Sequence, residues 1–223
     1  VQVSWIGYPA TTGLSRMDYR ITDRLVDPPG EADRWHTEKL FRLGPGFLCY
    51  QAAEDTPLPT RQQGRPMTYG SFNNFSKLND AVLDVWAGLL AEDHDTRLLI
   101  KCRQLADTGL RERLRHAFLA RGVDAERLLL RGRIPSRADH MALYGEVDVA
   151  LHTFPYNGTT TTCEALWMGV PVVTMMGSRH AARVGASLLS RAGWQDWIAH
   201  DAAGYIEIAR SLAADRPLPE EVR

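Results

Sequence analysis

No apolar run in this chain approaches the roughly 18–20 residues that a membrane-spanning helix needs, and no basic-then-apolar signal segment opens it. A membrane partner is therefore not expected. Cysteine is scarce: Cys49, Cys102 and Cys163 are odd in number and widely spaced, which fits reduced thiols in the cytoplasm better than disulfides or a zinc site. An excess of either charge is lacking too. Lys and Arg total 26 against 27 for Asp and Glu, a net charge of -1, so nothing draws nucleic acid or anionic lipid in general and any anion site has to be local. Neither Gly-x-Gly-x-x-Gly nor Gly-x-x-x-x-Gly-Lys-Ser/Thr occurs, which argues against a dinucleotide dehydrogenase and a P-loop NTPase. There is no Gly-x-Ser-x-Gly elbow, no carboxylate pair defensible from spacing, and no His/Cys/Asp spacing that indicates a metal.

What is present is a regular alternation. From residue 67 onward, strands are expected at 67–72, 98–101, 127–130, 147–151 and 170–174, and helices near 80–92, 105–121, 136–144, 161–168 and 181–192. A strand at 197–198 and a helix at 202–213 follow. Strand and helix alternating in this way describe βαβ units, hence an α/β fold with a parallel sheet and helices on both faces. The first part is less regular. Strands are expected at 1–6, 19–22 and 47–50, with a break at Asp27-Pro28-Pro29-Gly30 and a polar amphipathic segment over 31–43. Residues 54–65 have no apolar period and read as the linker. The chain starts inside a strand and ends at Pro219-Glu220-Glu221-Val222-Arg223 as if another helix were opening, so a piece of a longer polypeptide is expected.

Within the regular part, one stretch concentrates polar donors. The strand at 147–151 leads into an Asn157-Gly158 turn, and Thr159, Thr160, Thr161 and Thr162 then stand where a helix begins. The first N–H groups of a helix have no acceptor within it, threonine hydroxyls add donors, and the helix dipole places partial positive charge at the same end. Such a turn suits a phosphate or pyrophosphate. One or two threonines are also ordinary caps; four exceed what capping needs. Glu164, one turn further, can accept from sugar or ribose hydroxyls, although the dipole alone also favours an acid there.

Lys77 follows the strand at 67–72 and directly precedes a helix, so two positive features meet at the carboxyl edge of the sheet. That is costly unless an anion sits between them; otherwise Lys77 is a solvated surface lysine. Asn73 and Asn74 are turn formers or amide donors into the same crevice. Lys77 and the threonine turn leave separate strands of one parallel sheet, and together they describe a diphosphate site. His140, at another helix start, suits stacking on a base or bonding a ribose, while His36, His152 and His180 read as ordinary partly buried histidines.

Four stretches then become recognisable together: Val1-Gln2-Val3-Ser4-Trp5-Ile6-Gly7-Tyr8-Pro9, Asp18-Tyr19-Arg20-Ile21-Thr22-Asp23, Gly70-Ser71-Phe72-Asn73-Asn74 with Lys77, and Asn157-Gly158-Thr159-Thr160-Thr161-Thr162-Cys163-Glu164. They resemble the catalytic region of the O-GlcNAc transferase and SPINDLY family, nearly end to end. The resemblance implies a glycosyltransferase-B fold of two Rossmann-like lobes, with residues 1–57 the end of the first, 58–65 a linker, and 66–223 most of the donor-binding second. Tetratricopeptide repeats, most of the first lobe and the closing C-terminal helices would lie outside this chain. It further implies that Lys77 binds the diphosphate and stabilises the departing nucleotide, that Asn74 and the 157–162 turn assist, and that His140 and Glu164 contact the nucleoside, with no metal or cofactor.

The implied reaction is transfer of GlcNAc or fucose from UDP-GlcNAc or GDP-fucose to Ser/Thr hydroxyls of cytoplasmic proteins. Thr159 replaces the histidine of the animal GlcNAc-using members, and Thr162-Cys163-Glu164 follows the SPINDLY branch, which leans toward GDP-fucose. His152 stands where relatives usually have aspartate. Two other readings remain open: a nucleotide-sugar-binding fragment without transferase activity, and a sugar-nucleotide epimerase of the same fold.

Overall fold

The computed structural model describes residues 1–58, 60 and 64–215. Its larger part is a six-stranded, all-parallel sheet built from β4 (Thr68–Ser71), β5 (Arg97–Lys101), β6 (Leu128–Arg131), β7 (Val149–Leu151), β8 (Val172–Met175) and β9 (Ile198–Ala199), in the order β6-β5-β4-β7-β8-β9. The strands are short apolar runs buried on both faces: Leu98, Leu99, Ile100, Val149, Leu151, Val172 and Val173 are each at most 1% exposed. Continuous rather than alternating hydrophobicity is what a sheet covered on both sides requires.

Among the described residues there are six α-helices, near the six expected from apolar spacing: α1 (Asp80–Ala91), α2 (Thr108–Leu119), α3 (Arg137–Ala142), α4 (Thr160–Trp167), α5 (Val184–Ala192) and α6 (Ala202–Asp215). Asn79, Asp107 and Ser136 start α1, α2 and α3 by accepting from the backbone N–H of Val82, Leu110 and Asp139. Helix α1 packs on α2 and α6, and α4 packs on α5. Trp86 on α1 and Tyr205 on α6, both 0% exposed, fill the layer between helices and sheet. Three helices are shorter than expected because single 3-10 turns, Arg103–Ala106, Leu143–Glu146 and His180–Ala182, take over one end.

The first part forms a separate three-stranded parallel sheet, β1 (Val3–Ser4), β2 (Tyr19–Asp23) and β3 (Lys39–Leu43), in that order. Two expectations are corrected here. The 31–43 segment divides into a 3-10 turn, Ala32–Trp35, and the strand β3, in which half-buried Leu40 and Arg42 alternate with exposed Lys39 and Phe41, the two-residue period of an extended chain. Residues 47–50 are not a strand: Phe47 is 5% exposed because it packs against Val26 and Val184, so its apolarity serves docking instead of pairing.

The loops that follow β2 and β3 dock on α5. Asp23 accepts from the Ser187 hydroxyl at 2.6 Å, Asp27 pairs with His180 at 2.8 Å, and Arg183 and Arg191 donate to the carbonyls of Leu25 and Leu48. Of the expected 58–65 linker, residues 59 and 61–63 lie outside the described residues, as does the helix opening expected at 219–223.

Candidate functional site

Strand order fixes where a ligand can sit. The chain builds outward from β4 through β5 to β6 and then returns to place β7 on the other side of β4, so the direction of winding reverses between β4 and β7. In open parallel sheets the crevice lies beyond the carboxyl ends of the strands at that reversal, because the two loops there leave toward opposite faces. The loop after β4 carries Lys77. The loop after β7 carries Asn157, Gly158 and the threonines.

The two loops are tied together at short range. Lys77 Nζ donates to the Asn157 carbonyl at 2.7 Å and lies 4.0 Å from the centre of the Tyr156 ring. Ser71 Oγ donates to the Leu151 carbonyl, and Asn79, besides capping α1, donates its amide to Phe154 O at 2.8 Å. Burial alone lowers the Lys77 ammonium to about 8. The ammonium has no carboxylate partner among its described contacts, and an anion in the crevice would restore its charge.

Thr159 is the residue before α4, and its side chain makes no capping bond, in contrast to the starts of α1, α2 and α3. The Thr162 N–H turns back to the Thr159 carbonyl at 3.2 Å, and among the described residues no side chain takes the N–H groups of Thr160 and Thr161, the donors available to the crevice. Thr160 is exposed and Thr159 and Thr161 half-buried, while Thr162 is buried on the inner side of the turn. Gly158 lets this turn close: a Cβ there would come within 2.6 Å of Thr161 Oγ1 and 3.0 Å of Asn73 Oδ1. The Asn157 side chain is committed internally, donating to Thr153 O and accepting from the N–H of Gly185, so its part is to hold the loop and offer the carbonyl that receives Lys77.

Of the paired asparagines, it is Asn73 that faces the threonines. Its Oδ1 accepts from Thr161 Oγ1 at 3.4 Å and the residue is 6% exposed. Asn74 is exposed instead and caps the 3-10 turn Phe75–Lys77, its Oδ1 taken by the Ser76 N–H and hydroxyl and by Gln104. Asn74 was expected to assist Lys77 at the diphosphate together with the threonine turn; its Oδ1 is engaged by these three donors.

Glu164 and His140 do meet. His140 Nε2 lies 3.0 Å from Glu164 Oε2, and Lys101 Nζ lies 3.0 Å from His140 Nδ1. An ammonium can only donate, so Nδ1 accepts and the Nε2 proton is directed at the carboxylate. Tyr144 donates its hydroxyl to the same oxygen and to Thr161 O, and burial together with Glu164 pushes that phenol well above its ordinary range. Phe72 packs on Tyr144 and His140 with ring centres 4.3 and 5.7 Å away. Neither Lys101 nor Tyr144 was singled out from the sequence. Lys101 ends β5 at the same sheet edge as Lys77, and the edge rule that found one lysine also reaches the other. Burial raises Cys102, and raises Cys163 to about 11, so both thiols stay protonated and unreactive at neutral pH.

A crevice with a buried lysine ammonium, an uncapped helix start and a carboxylate fed by imidazole and phenol suits an anion joined to a hydroxyl-bearing group. The model of glycosyl transferase family 41 matches residues 1–56 and 48–223. The chain belongs to that family. Relatives include the probable UDP-N-acetylglucosamine–peptide N-acetylglucosaminyltransferase SPINDLY of Oryza sativa subsp. japonica, 44% identical over 227 residues, 100% of this chain and 24% of that protein. The SPINDLY protein of Arabidopsis thaliana is 44% identical over 219 residues, 96% of this chain and 24% of its own length, and the Arabidopsis SEC protein 28% identical over 229 residues. A solved structure, a lysine-to-methionine mutant of Thermobaculum terrenum O-GlcNAc transferase, superposes with a TM-score of 0.89 at 39% identity, covering 100% of this chain and 43% of that one. This bears out the glycosyltransferase-B fold and the family expected from the sequence. The family 41 chain thus spans about a quarter of the length of these curated relatives. Among the described residues, no helix is long and apolar enough to cross a membrane.

Proposed function

We propose that this chain is the donor-binding part of a protein O-glycosyltransferase that moves a sugar from a nucleoside diphosphate to Ser or Thr hydroxyls of proteins. The observation that carries this reading is the convergence of Lys77 and the uncapped threonine helix at the winding reversal of the sheet. In the transfer, an acceptor oxygen bonds to the anomeric carbon, the bond to the diphosphate oxygen breaks, and its electron pair leaves with the nucleoside diphosphate while the hydroxyl proton is released. Charge therefore grows on the diphosphate. Lys77 Nζ and the first N–H groups of α4 are preorganised donors for that charge, in a site where burial strengthens them. Glu164, oriented by His140 and Tyr144, is suited to the hydroxyls of the nucleoside. A cytoplasmic setting fits the three free cysteines.

Replacing Lys77 by Met tests this directly. The variant is expected to fold and to lose about 10²–10³-fold in transfer, the usual scale for one preorganised donor. Near wild-type activity would remove Lys77 from the mechanism. A second reading, nucleotide-sugar binding without transfer by this chain alone, is favoured by one observation: the chain spans only 24% of its SPINDLY relatives.

For the donor, the names of the relatives specify UDP-GlcNAc, whereas Thr159 follows the branch for which GDP-fucose was expected. Lys77 and the helix start hold either diphosphate, so the base has to decide. Our reading is GDP-fucose, and it requires GDP to compete at least tenfold better than UDP, a difference of about 1.4 kcal/mol. The opposite preference assigns UDP-GlcNAc.

A further inference from the structure

An anion-binding helix start faces a conflict. A side-chain cap would fix its position but would consume the N–H groups that the anion needs. Helix α4 has no such cap; the Thr161 hydroxyl meets Asn73 at a long 3.4 Å and the Thr161 carbonyl accepts from Tyr144 at 3.2 Å, and neither contact uses an N–H group. The inner side of the turn is held from behind.

We propose that His152 is a positioning residue of the diphosphate site, anchoring the first turn of α4 from behind through the hydroxyl of Thr162 and so leaving the N–H groups of that turn to the ligand. This rests on the reading of the crevice as a diphosphate site. His152 directly follows β7 and is 2% exposed. Its Nε2 lies 2.6 Å from Thr162 Oγ1, and its Nδ1 lies 3.0 Å from Thr174 Oγ1 in β8. Its own backbone is fixed as well, the N–H by Val173 O and the carbonyl by the Tyr205 hydroxyl at 2.9 Å. The imidazole thus links α4 to β8, while the backbone of the same residue is tied to β8 and α6.

Two glycines shape the slot. A Cβ on Gly185 would come within 2.8 Å of Nδ1, and one on Gly158 within 3.1 Å of Nε2. Burial, with a smaller contribution from the Lys77 charge, lowers the ring to about 3, so it is neutral at physiological pH. One nitrogen then donates and the other accepts, and both hydroxyls can answer in the matching sense. A neutral ring also adds no positive charge beside Lys77. Thr162 is 0% exposed and does not face the crevice, which separates the anchored side of the turn from the ligand side formed by Thr159, Thr160 and Thr161.

The two ring nitrogens can be tested separately, because an Asn amide reaches about where Nδ1 lies and a Gln amide about where Nε2 lies. GDP and UDP are titrated calorimetrically into the full chain carrying His152→Asn, His152→Gln, Thr162→Val or Thr162→Ser, with thermal unfolding measured in parallel. His152→Asn and Thr162→Val are expected to weaken the better-bound nucleotide about tenfold, the scale of one lost buried hydrogen bond, while His152→Gln and Thr162→Ser restore most of it. The double variant His152→Asn/Thr162→Val should be no weaker than either single one, since both remove the same link. Equal losses for Asn and Gln, or additive losses in the double variant, overturn the proposal. So does affinity that merely tracks thermal stability. If His152→Asn does not fold, the contrast between Thr162→Val and Thr162→Ser decides. A wild-type chain that binds neither GDP nor UDP overturns the diphosphate reading itself, and this proposal with it.

Discussion

Lys77 holds a charge that its surroundings disfavour. Burial lowers it from 10.5 to about 8, so the folded chain releases this proton earlier than the unfolded one does. Two opposite pH effects follow. Diphosphate affinity, which needs the ammonium, is expected to be level below about pH 8 and to fall above it. Stability of the free chain should gain instead as pH rises from about 8 to 10.5, because in that window the unfolded state binds more protons. Calorimetric titration and urea unfolding at matched pH separate the two, and Lys77→Met should abolish both trends. At this scale the sequence was informative about location and less so about orientation. The edge rule found Lys77, but which of Asn73 and Asn74 turns inward depends on the 3-10 turn at Phe75–Lys77, a detail of φ and ψ that residue type does not encode. Of the Lys101–His140–Glu164 chain only the last two members were singled out, although Lys101 closes β5 at the sheet edge where the same rule points.

Among the elements, α4 depends on its neighbours more than its length indicates. It has eight residues, no side-chain cap and a buried imidazole behind its first turn. His152 titrates near 3 in the folded chain against 6.5 when free, so between those values the unfolded state takes up the extra proton and stability falls as pH drops from about 6.5 to 3. Asp27, whose carboxyl the His180 hydrogen bond holds below its ordinary value against the upward push of burial, adds to the acid loss at the lower end. His152→Gln is expected to flatten the slope of unfolding free energy between pH 6.5 and 4 without moving the Asp27 component, as measured by denaturant titration. The βαβ elements were legible because their buried strands are continuous apolar runs and their helices keep a 3.6-residue period. Where both cues failed, over 31–50, the apolar residues answer to docking on α5: Phe47 meets Val184, and among the described residues β3 is an edge strand paired with β2.

On the scale of the whole molecule, two sheets meet through polar contacts around a small apolar cluster. Asp27, His180 and Arg20 are buried together, with Arg20 Nη1 bonded to Ala10 O at 2.7 Å and Nη2 3.4 Å from His180. Removing one member of such a group leaves the others unpaired, so Asp27→Ala is expected to lower stability by about 3–5 kcal/mol. Denaturant unfolding measures this, and at temperatures where the variant stays folded its affinity for nucleoside diphosphate should match the wild type, because Lys77 and α4 both belong to the other sheet. How the two sheets are joined was not legible in the sequence, since histidine, arginine and aspartate far apart in the chain give no sign of meeting. The reversal of winding between β4 and β7 has a mechanical consequence. Ser71 to Leu151 and Asn79 to Phe154 tie the two walls of the anion crevice into one rigid body resting on adjacent strands. Both walls therefore move as one with the larger sheet, and the Lys77 to Asn157 contact stays inside that single body.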